Sequence, residues 1–353
     1  MSDRKTGSVP EQAMTAADYA SLRQRLGTAR LRRRLRAQVW HVAGEAHQED
    51  LLFGLGRLVD IDVLVDRGAR LLGIHGWGHR NFRDIRLVEN PVRHPRMPAA
   101  LDGFRLLQLS DLHLDLDPTL LDAIRERIRG LDYDLVVLTG DFRNTTDADH
   151  GPSVSHTLAL LELFDRPVYG ILGNHDFIEI VPPLERAGLR FLLNESVAIE
   201  HQGARFYLAG IDDPHFYRTH DLAGVRDAIP EEAFAVLLSH SPEIYRDASD
   251  YGFELMLSGH THGGQICLPG GHALIKVCDV PREILAGAWQ YRDLVGYTSV
   301  GTGSCGVPLR YFCPPEITLH RFEASDNLHT ASSNRAPILG QEQIRQAKQS
   351  ASS

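Results

Sequence analysis

Six short apolar runs constrain this chain more than any other feature: FRLLQLS (104–110), DLVVLTG (134–140), PVYGILG (167–173), ARFYLAG (204–210), FAVLLSH (234–240) and ELMLSGH (254–260). Each has the length and composition of a buried β-strand. Helical patterns separate several of them, for example from Pro118 to Leu131, where Pro118 suits a helix start. Such alternation predicts α/β layering.

The residues at the ends of these runs matter more. Four of the runs finish in acid/base or metal-binding side chains: Ser110-Asp111-Leu112-His113, Gly140-Asp141, Gly173-Asn174-His175-Asp176 and Ser239-His240. A fifth finishes in Gly259-His260-Thr261-His262-Gly263-Gly264-Gln265. Ligands of open α/β sheets bind beyond the carboxyl ends of the strands, so these clusters are expected to converge on one cleft. One Asp-x-His would carry little weight; five strand-end clusters carry the inference.

The donors are Asp, His and Asn without a thiolate, a set that suits Mn²⁺, Fe, Zn²⁺ or Mg²⁺. They are too many for one ion. Two divalent ions about 3.5–4 Å apart with a shared carboxylate would use them all, and that is the clamp for in-line attack on phosphorus. Mn²⁺ is the first choice of metal.

The rest of the composition narrows the class. Hydrophobic residues make up 43% and charged residues 24% of 353, which excludes a mostly disordered or fibrous chain. No apolar run approaches the ~18 residues of a membrane span, and MSDRKTGSVPEQ lacks a signal-peptide core, so the expected address is cytoplasmic. The cysteines Cys267, Cys278, Cys305 and Cys313 have no CxxC spacing and read as reduced thiols. A net charge of −9 argues against broad nucleic-acid binding.

One local patch departs from that average. Between Asp18 and Glu45 there are no acidic residues but seven arginines: Arg23, Arg25, Arg30, Arg32, Arg33, Arg34 and Arg36. Leu31, Leu35, Val39 and Val42 fall at helical spacing among them, so a helix here carries an apolar stripe opposite a cationic face. It can lie on an anionic membrane, or pack its stripe on the protein with solvated arginines. Asn90 to Ala100, with three prolines, reads as an exposed connector. The expected organisation is a basic, partly helical region over 1–82, a catalytic domain over 83–323 and a disordered, Ser/Asn/Gln-rich tail over 324–353.

The order D-x-H, GD, GNHD, H, GHTHGGQ resembles the calcineurin-like metallophosphoesterase superfamily across roughly Arg83 to Phe322. The phrases LDGFRLLQLSDLH, AGIDDP, LLSHSPEIY, LMLSGHTHGGQI and GVPLRYFCPPEITL are most similar to its bacterial YkuE-type branch, which includes enzymes acting on phospholipids and on UDP-2,3-diacylglucosamine. The resemblance implies a four-layered sandwich, two mixed β-sheets flanked by helices, behind the basic helical region. It implies Asp111, His113 and His262 on one metal, Asn174, His240 and His260 on the other, and Asp141 as the bridge. His175 would be the catalytic proton donor or electrostatic partner of the leaving group. Asp176 would orient His175 or cap a turn. The protein-phosphatase signature GDxxDRG is replaced here by Gly140-Asp141-Phe142-Arg143-Asn144-Thr145, which disfavours that activity. Arg143 and Arg310 are candidates for holding a phosphate oxygen, with structural ion pairing as the alternative.

The expected function is metal-dependent hydrolysis of a phosphoric ester or diphosphate bond, with a phosphodiesterase on an amphiphilic or lipid-linked substrate favoured. Peripheral contact with the inner face of an anionic membrane goes with it. The rivals are a soluble nucleotide phosphodiesterase or nuclease, and a non-catalytic protein-binding scaffold. The scaffold is disfavoured because every ligand position is filled and His175 is retained.

Overall fold

The computed structural model describes residues 14–42, 61–144, 149–273 and 277–324. The tail expected over 324–353 lies outside the described residues from 325 onward, as do parts of the 1–82 region. All six apolar runs form strands, and they divide between two six-stranded mixed sheets. One sheet has the order β1 (Arg86–Val92), β14 (Glu316–Phe322), β2 (Arg105–Leu109), β3 (Leu135–Leu138), β4 (Val168–Gly170), β5 (Leu189–Phe191). In the other, β12 (Gly287–Tyr291), β13 (Leu294–Thr298), β9 (Leu255–Ser258), β8 (Ala235–Leu238), β7 (Ala204–Gly210) and β6 (Glu195–His201) lie in that order. The short β10 (Cys267–Leu268) and β11 (His272–Ala273) pair separately.

Strand side chains point alternately to opposite faces, and both faces are covered here, which is why most positions of these runs are apolar. Leu106, Leu135, Val137, Leu208, Val236, Leu238, Leu255 and Leu257 meet between the sheets. The intervening Leu107, Leu109, Val136 and Leu138 pack outward on α5 (Leu120–Ile128), α6 (Gly151–Leu161) and α7 (Val181–Arg186). On the far side, Ala209, Leu237 and Met256 meet α8 (Leu222–Asp227) and α9 (Tyr245–Asp250). The result is the expected four-layered sandwich. β2, β3 and β4 run parallel in one sheet, and β7, β8 and β9 in the other, so the carboxyl end of each run opens toward one edge of its sheet.

The stretch from Asn90 to Ala100 departs from its reading as an exposed connector. Asn90, Pro91 and Val92 finish β1 and pair in parallel with β14, and Val92 is buried between the sheets. A proline is tolerated because β1 is an edge strand, where one side of the ladder needs no donor.

The basic region packs on the sandwich. α1 (Ala16–Leu26) begins with a capping box in which Thr15 Oγ1 accepts from Asp18 N and Asp18 Oδ2 accepts from Thr15 N. Leu22 and Leu26, with Leu31 of α2 (Thr28–Val42), join the cluster that covers the β2–β3 face. Three arginines pair with carboxylates of the sandwich, Arg30 from an exposed position. Arg25 pairs with Glu185 at 2.9 Å and Glu195 at 2.8 Å, Arg30 with Asp221 at 2.6 Å, and the fully buried Arg34 with Asp212. Arg34 Nη2 also donates to Asp176 O at 2.9 Å, and its guanidinium lies 4.0 Å from the Tyr217 ring centre. The stripe read from the sequence is therefore split: Leu31 is buried, whereas Val39 and Val42 are exposed. α3 (Ile61–Leu71) and α4 (His75–Arg83) are also packed on later chain, Ala69 against Val307 and Leu309, and Gly78 against Tyr311.

A buried ion pair that loses one partner leaves an uncompensated charge, at a cost of about 3–5 kcal/mol. Arg34→Ala is accordingly expected to lower unfolding free energy by about that amount in urea titration. A loss below about 1 kcal/mol, the range of exposed pairs, would show that α2 does not dock in solution as it does here.

Candidate metal centre

The five strand-end clusters meet where the two sheets present their carboxyl ends. His240 Nε2, after β8, lies 3.0 Å from Asn174 Oδ1, after β4, and 3.2 Å from Asp141 Oδ2, after β3. Asp141 Oδ2 is also 3.7 Å from His113 Nε2, after β2. From there, His113 Nε2 is 3.2 Å from His262 Nε2, and His262 Nε2 is 3.4 Å from Asp111 Oδ1. The Asp141 carboxylate thus sits between an Asn174–His240 group and an Asp111–His113–His262 group. His260 joins the first: it offers a donor atom within 4.8 Å of those of Asp141 and His240.

The local backbone is built to turn these side chains inward. Asp111, His113, Asp141, His260 and His262 all have positive φ, between 43° and 69°. That conformation costs an L-residue on the order of 1 kcal/mol each, so surrounding contacts must hold it. Asp176 supplies much of the hold, because its carboxylate accepts from the backbone N–H groups of Gly173, Asp141 and Phe142, all at 2.8 Å. Asp111 similarly accepts from His260 N at 3.0 Å. Two glycines permit the close approach: a Cβ at Gly173 would lie 2.1 Å from Asp141 Oδ1, and one at Gly259 would lie 1.9 Å from Ser110 Oγ.

Ring orientation is set by backbone carbonyls. His113 Nδ1 donates to Arg143 O at 2.7 Å and His240 Nδ1 to Thr139 O at 2.8 Å, which leaves each Nε2 facing the centre. Burial pushes His113 down to about 4 and holds His260 and His262 well below the ordinary imidazole range, so these rings are neutral, with lone pairs available. Burial opposes charge on Asp141 too, but the neighbouring His240 and His175 keep its carboxyl well below the usual range. His240 responds in kind: against its burial, Asp141 pushes it up to about 10. The Asp111 carboxyl is raised to about 6 by burial.

These features fit divalent cations. Among the described residues, His260 Nε2 is buried with no hydrogen-bond partner, a costly arrangement for a ring nitrogen unless it has another ligand. His113 and His262 bring their Nε2 atoms to 3.2 Å of each other, close enough for both rings to reach one ion. The negative charge concentrated on Asp141 makes the same demand.

The sequence comparisons agree with this chemistry. The family model described as "Calcineurin-like phosphoesterase" matches residues 104–264. The uncharacterized metallophosphoesterase YkoQ of Bacillus subtilis is 30% identical over 254 residues, covering 69% of this chain and 92% of the relative. The chain belongs to the calcineurin-like phosphoesterase family. A second Bacillus subtilis metallophosphoesterase, YkuE, is 29% identical, covering 71% of this chain and 91% of its own length. LpxG of Chlamydia trachomatis, a UDP-2,3-diacylglucosamine pyrophosphatase, is 25% identical, covering 64% and 86% respectively. This chain is accordingly a metallophosphoesterase, a phosphoester hydrolase.

Within this metallophosphoesterase, the other residues singled out from sequence fall into distinct settings. His175 is part-buried at the centre: its backbone N donates to Asp141 Oδ1 at 2.9 Å and its Nδ1 to Asn144 O at 2.8 Å. Burial works against its charge, yet Asp141 and Cys305 raise it well above the ordinary imidazole range. Asp176, open between two roles, caps the turns carrying Asp141 and Gly173. Arg143 is fully buried with its guanidinium 4.0 Å from the Phe177 ring centre. Arg310, also fully buried, donates through Nη1 to His262 O at 3.0 Å, through Nε to Ser304 Oγ at 3.0 Å and through Nη2 to Gly303 O. It thus joins the 303–304 turn to the segment that carries His262.

One contributor was not singled out from sequence, and another was read there only as the end of a motif. His215, directly after the AGIDDP segment, has its ring centre 4.4 Å from that of His260 and its Nδ1 2.8 Å from Glu243 Oε2. Gln265 closes the GHTHGGQ motif with a buried amide whose contacts reach residues 305 and 307. The motif signalled Gln265 by position, but its partners lie forty residues away in sequence.

Proposed function

We propose that this metallophosphoesterase uses two divalent ions to hydrolyse a phosphoric diester or diphosphate bond in an amphiphilic, lipid-linked substrate. The observation that carries the reading is the position of Asp141 between two sets of donors. Asp111, His113 and His262 would hold one ion, Asn174, His240 and His260 the other, and Asp141 both. Such ions, Mn²⁺ first among Mn²⁺, Fe, Zn²⁺ and Mg²⁺, supply Lewis-acid neutralisation of phosphoryl oxygens and a water activated at neutral pH. The chain supplies the rest. His175, with Nδ1 committed to Asn144 O, would direct Nε2 and its proton toward the leaving-group oxygen. Arg310 is best read as a positioning residue for His262.

Support for an amphiphilic substrate comes from α2. Its last turns expose Val39 at 65% and Trp40 at 56%, together with Val42. Between them, His41 has its ring centre 4.3 Å from Phe216 and 6.4 Å from His175, so an exposed apolar rim adjoins the centre. Arg32, Arg33 and Arg36 are exposed on the same helix, which suits peripheral contact with an anionic leaflet. No helix among the described residues is long and apolar enough to cross a membrane. The substrate in the name of LpxG has the same pattern of a diphosphate next to acyl chains.

The test is a screen of Mn²⁺-loaded protein against phosphomonoesters, soluble nucleotide diesters and nucleotide-diphosphate lipids in anionic vesicles. We expect the highest kcat/KM on the vesicle-borne lipid, loss of that advantage in Trp40→Ala and at high salt, and abolition of all turnover by EDTA. Equal or better turnover of soluble nucleotide diesters would move the assignment to a nucleotide phosphodiesterase. Turnover indifferent to chelation would end the metal-dependent reading.

A further inference from the structure

Cys305 lies beside the centre, held there by contacts from both neighbouring loops. The buried Gln265 amide grips its backbone from both sides: Cys305 N donates to Gln265 Oε1 and Gln265 Nε2 donates to Cys305 O, each at 2.9 Å. The next residue is fixed as well, Gly306 N donating to Asn144 Oδ1 at 2.7 Å. Arg310 secures the approach to Cys305 through Gly303 O and Ser304 Oγ. These contacts tie the 303–306 loop to the residue that orients His175 and to the loop that carries His260 and His262.

The thiol that results is aimed at the donors. Cys305 Sγ is 3.8 Å from His175 Nε2, and it lies with one ring nitrogen each of His113 and His262 in a group whose atoms are all within 4.8 Å of one another. With metal distances of about 2.3 and 2.0 Å, sulfur and nitrogen on one ion stand about 3–3.5 Å apart, so a movement of at most about 2 Å closes the difference from the 4.8 Å bound.

We propose that Cys305 is a further metal donor, a thiolate for the ion held by Asp111, His113 and His262, which biases that subsite toward a thiophilic ion such as Zn²⁺ over Mn²⁺. This rests on the reading of those three residues as ligands of one ion. Thiolate selects Zn²⁺ and Co²⁺, whereas carboxylate and carbonyl oxygens suit Mn²⁺ and Mg²⁺. The two subsites then differ in kind: Asn174, His240 and His260 offer only oxygen and nitrogen, and the subsite with Cys305 adds sulfur. On binding, the thiol proton passes to solvent.

The full chain loaded with Co²⁺ tests this directly. A thiolate-to-cobalt charge-transfer band is expected in the near ultraviolet for the wild type and for the control Cys278→Ala, and not for Cys305→Ser. In competition titrations, the ratio of Zn²⁺ to Mn²⁺ affinity is expected to fall at least about tenfold in Cys305→Ser. Wild-type protein that binds cobalt without the band, a band that survives in Cys305→Ser, or an unchanged affinity ratio would each overturn the proposal while leaving the two-ion reading intact. Wild-type protein that binds no metal would instead overturn that underlying reading.

Discussion

Asp141→Asn is expected to lower kcat by roughly a thousandfold or more and to reduce bound metal, read by turnover and by elemental analysis of the same sample. The substitution keeps the shape of the side chain and one carbonyl oxygen. It removes the charge placed between His240 Nε2 at 3.2 Å and His113 Nε2 at 3.7 Å, so both donor groups lose their common partner at once. If the amide turned its nitrogen inward, it would add a donor where electron pairs converge. Loss of one outlying ligand would leave the other group intact, whereas loss of a shared carboxylate weakens both. Near-normal turnover with full metal content would remove Asp141 from the bridge and with it the two-ion mechanism.

His175→Ala is expected to differ in kind. It should keep the metal content of the wild type and lose about 10²–10⁴ in rate, the worth of a positioned acid. His175 contacts Asp141 through its backbone N, which alanine retains, so the centre keeps that hydrogen bond. Burial opposes charge on the imidazole, but Asp141 and Cys305 raise it well above its ordinary range, a shift that favours the proton an acid must hold. Wild-type activity should fall on the alkaline side as that proton is lost, and the alkaline limb should be absent in His175→Ala. Metal loss as large as that of Asp141→Asn would make His175 a ligand. An unchanged alkaline limb would assign that titration to another group.

The contrast between the two variants bears on how the site is built. Asp141 and His175 come from neighbouring strands, β3 and β4, and a single carboxylate, Asp176, holds the turns after both. Arg34 reaches the same place from α2 by donating to Asp176 O. A helix that reads in sequence as a separable basic element thus supports the turn carrying His175. This coupling explains why the arginine count alone misdescribes the segment: Arg25, Arg30 and Arg34 meet carboxylates far along the chain, whereas Arg32, Arg33 and Arg36 face solvent.

The local code of the chain specifies the sandwich and the residues at its edge. Strands covered on both faces are apolar at most positions, so the six runs were visible as strands without knowledge of their partners. A parallel strand presents its carboxyl end to the ligand side, so the side chains just beyond it were visible as one convergent set. Pairings between segments distant in sequence have no local pattern, and packing in three dimensions alone settles them. These include the docking of Leu22, Leu26 and Leu31 on the β2–β3 face and the entry of Asn90–Val92 into an edge strand. The inward turn of Arg310 toward Gly303, Ser304 and His262 and the grip of Gln265 on Cys305 belong with them. Arginine and cysteine read alike in a sequence whether they face a ligand, a carboxylate or water; burial and the partner brought by the fold choose among these, because a buried charge or polar group is tolerated only where its hydrogen bonds are met.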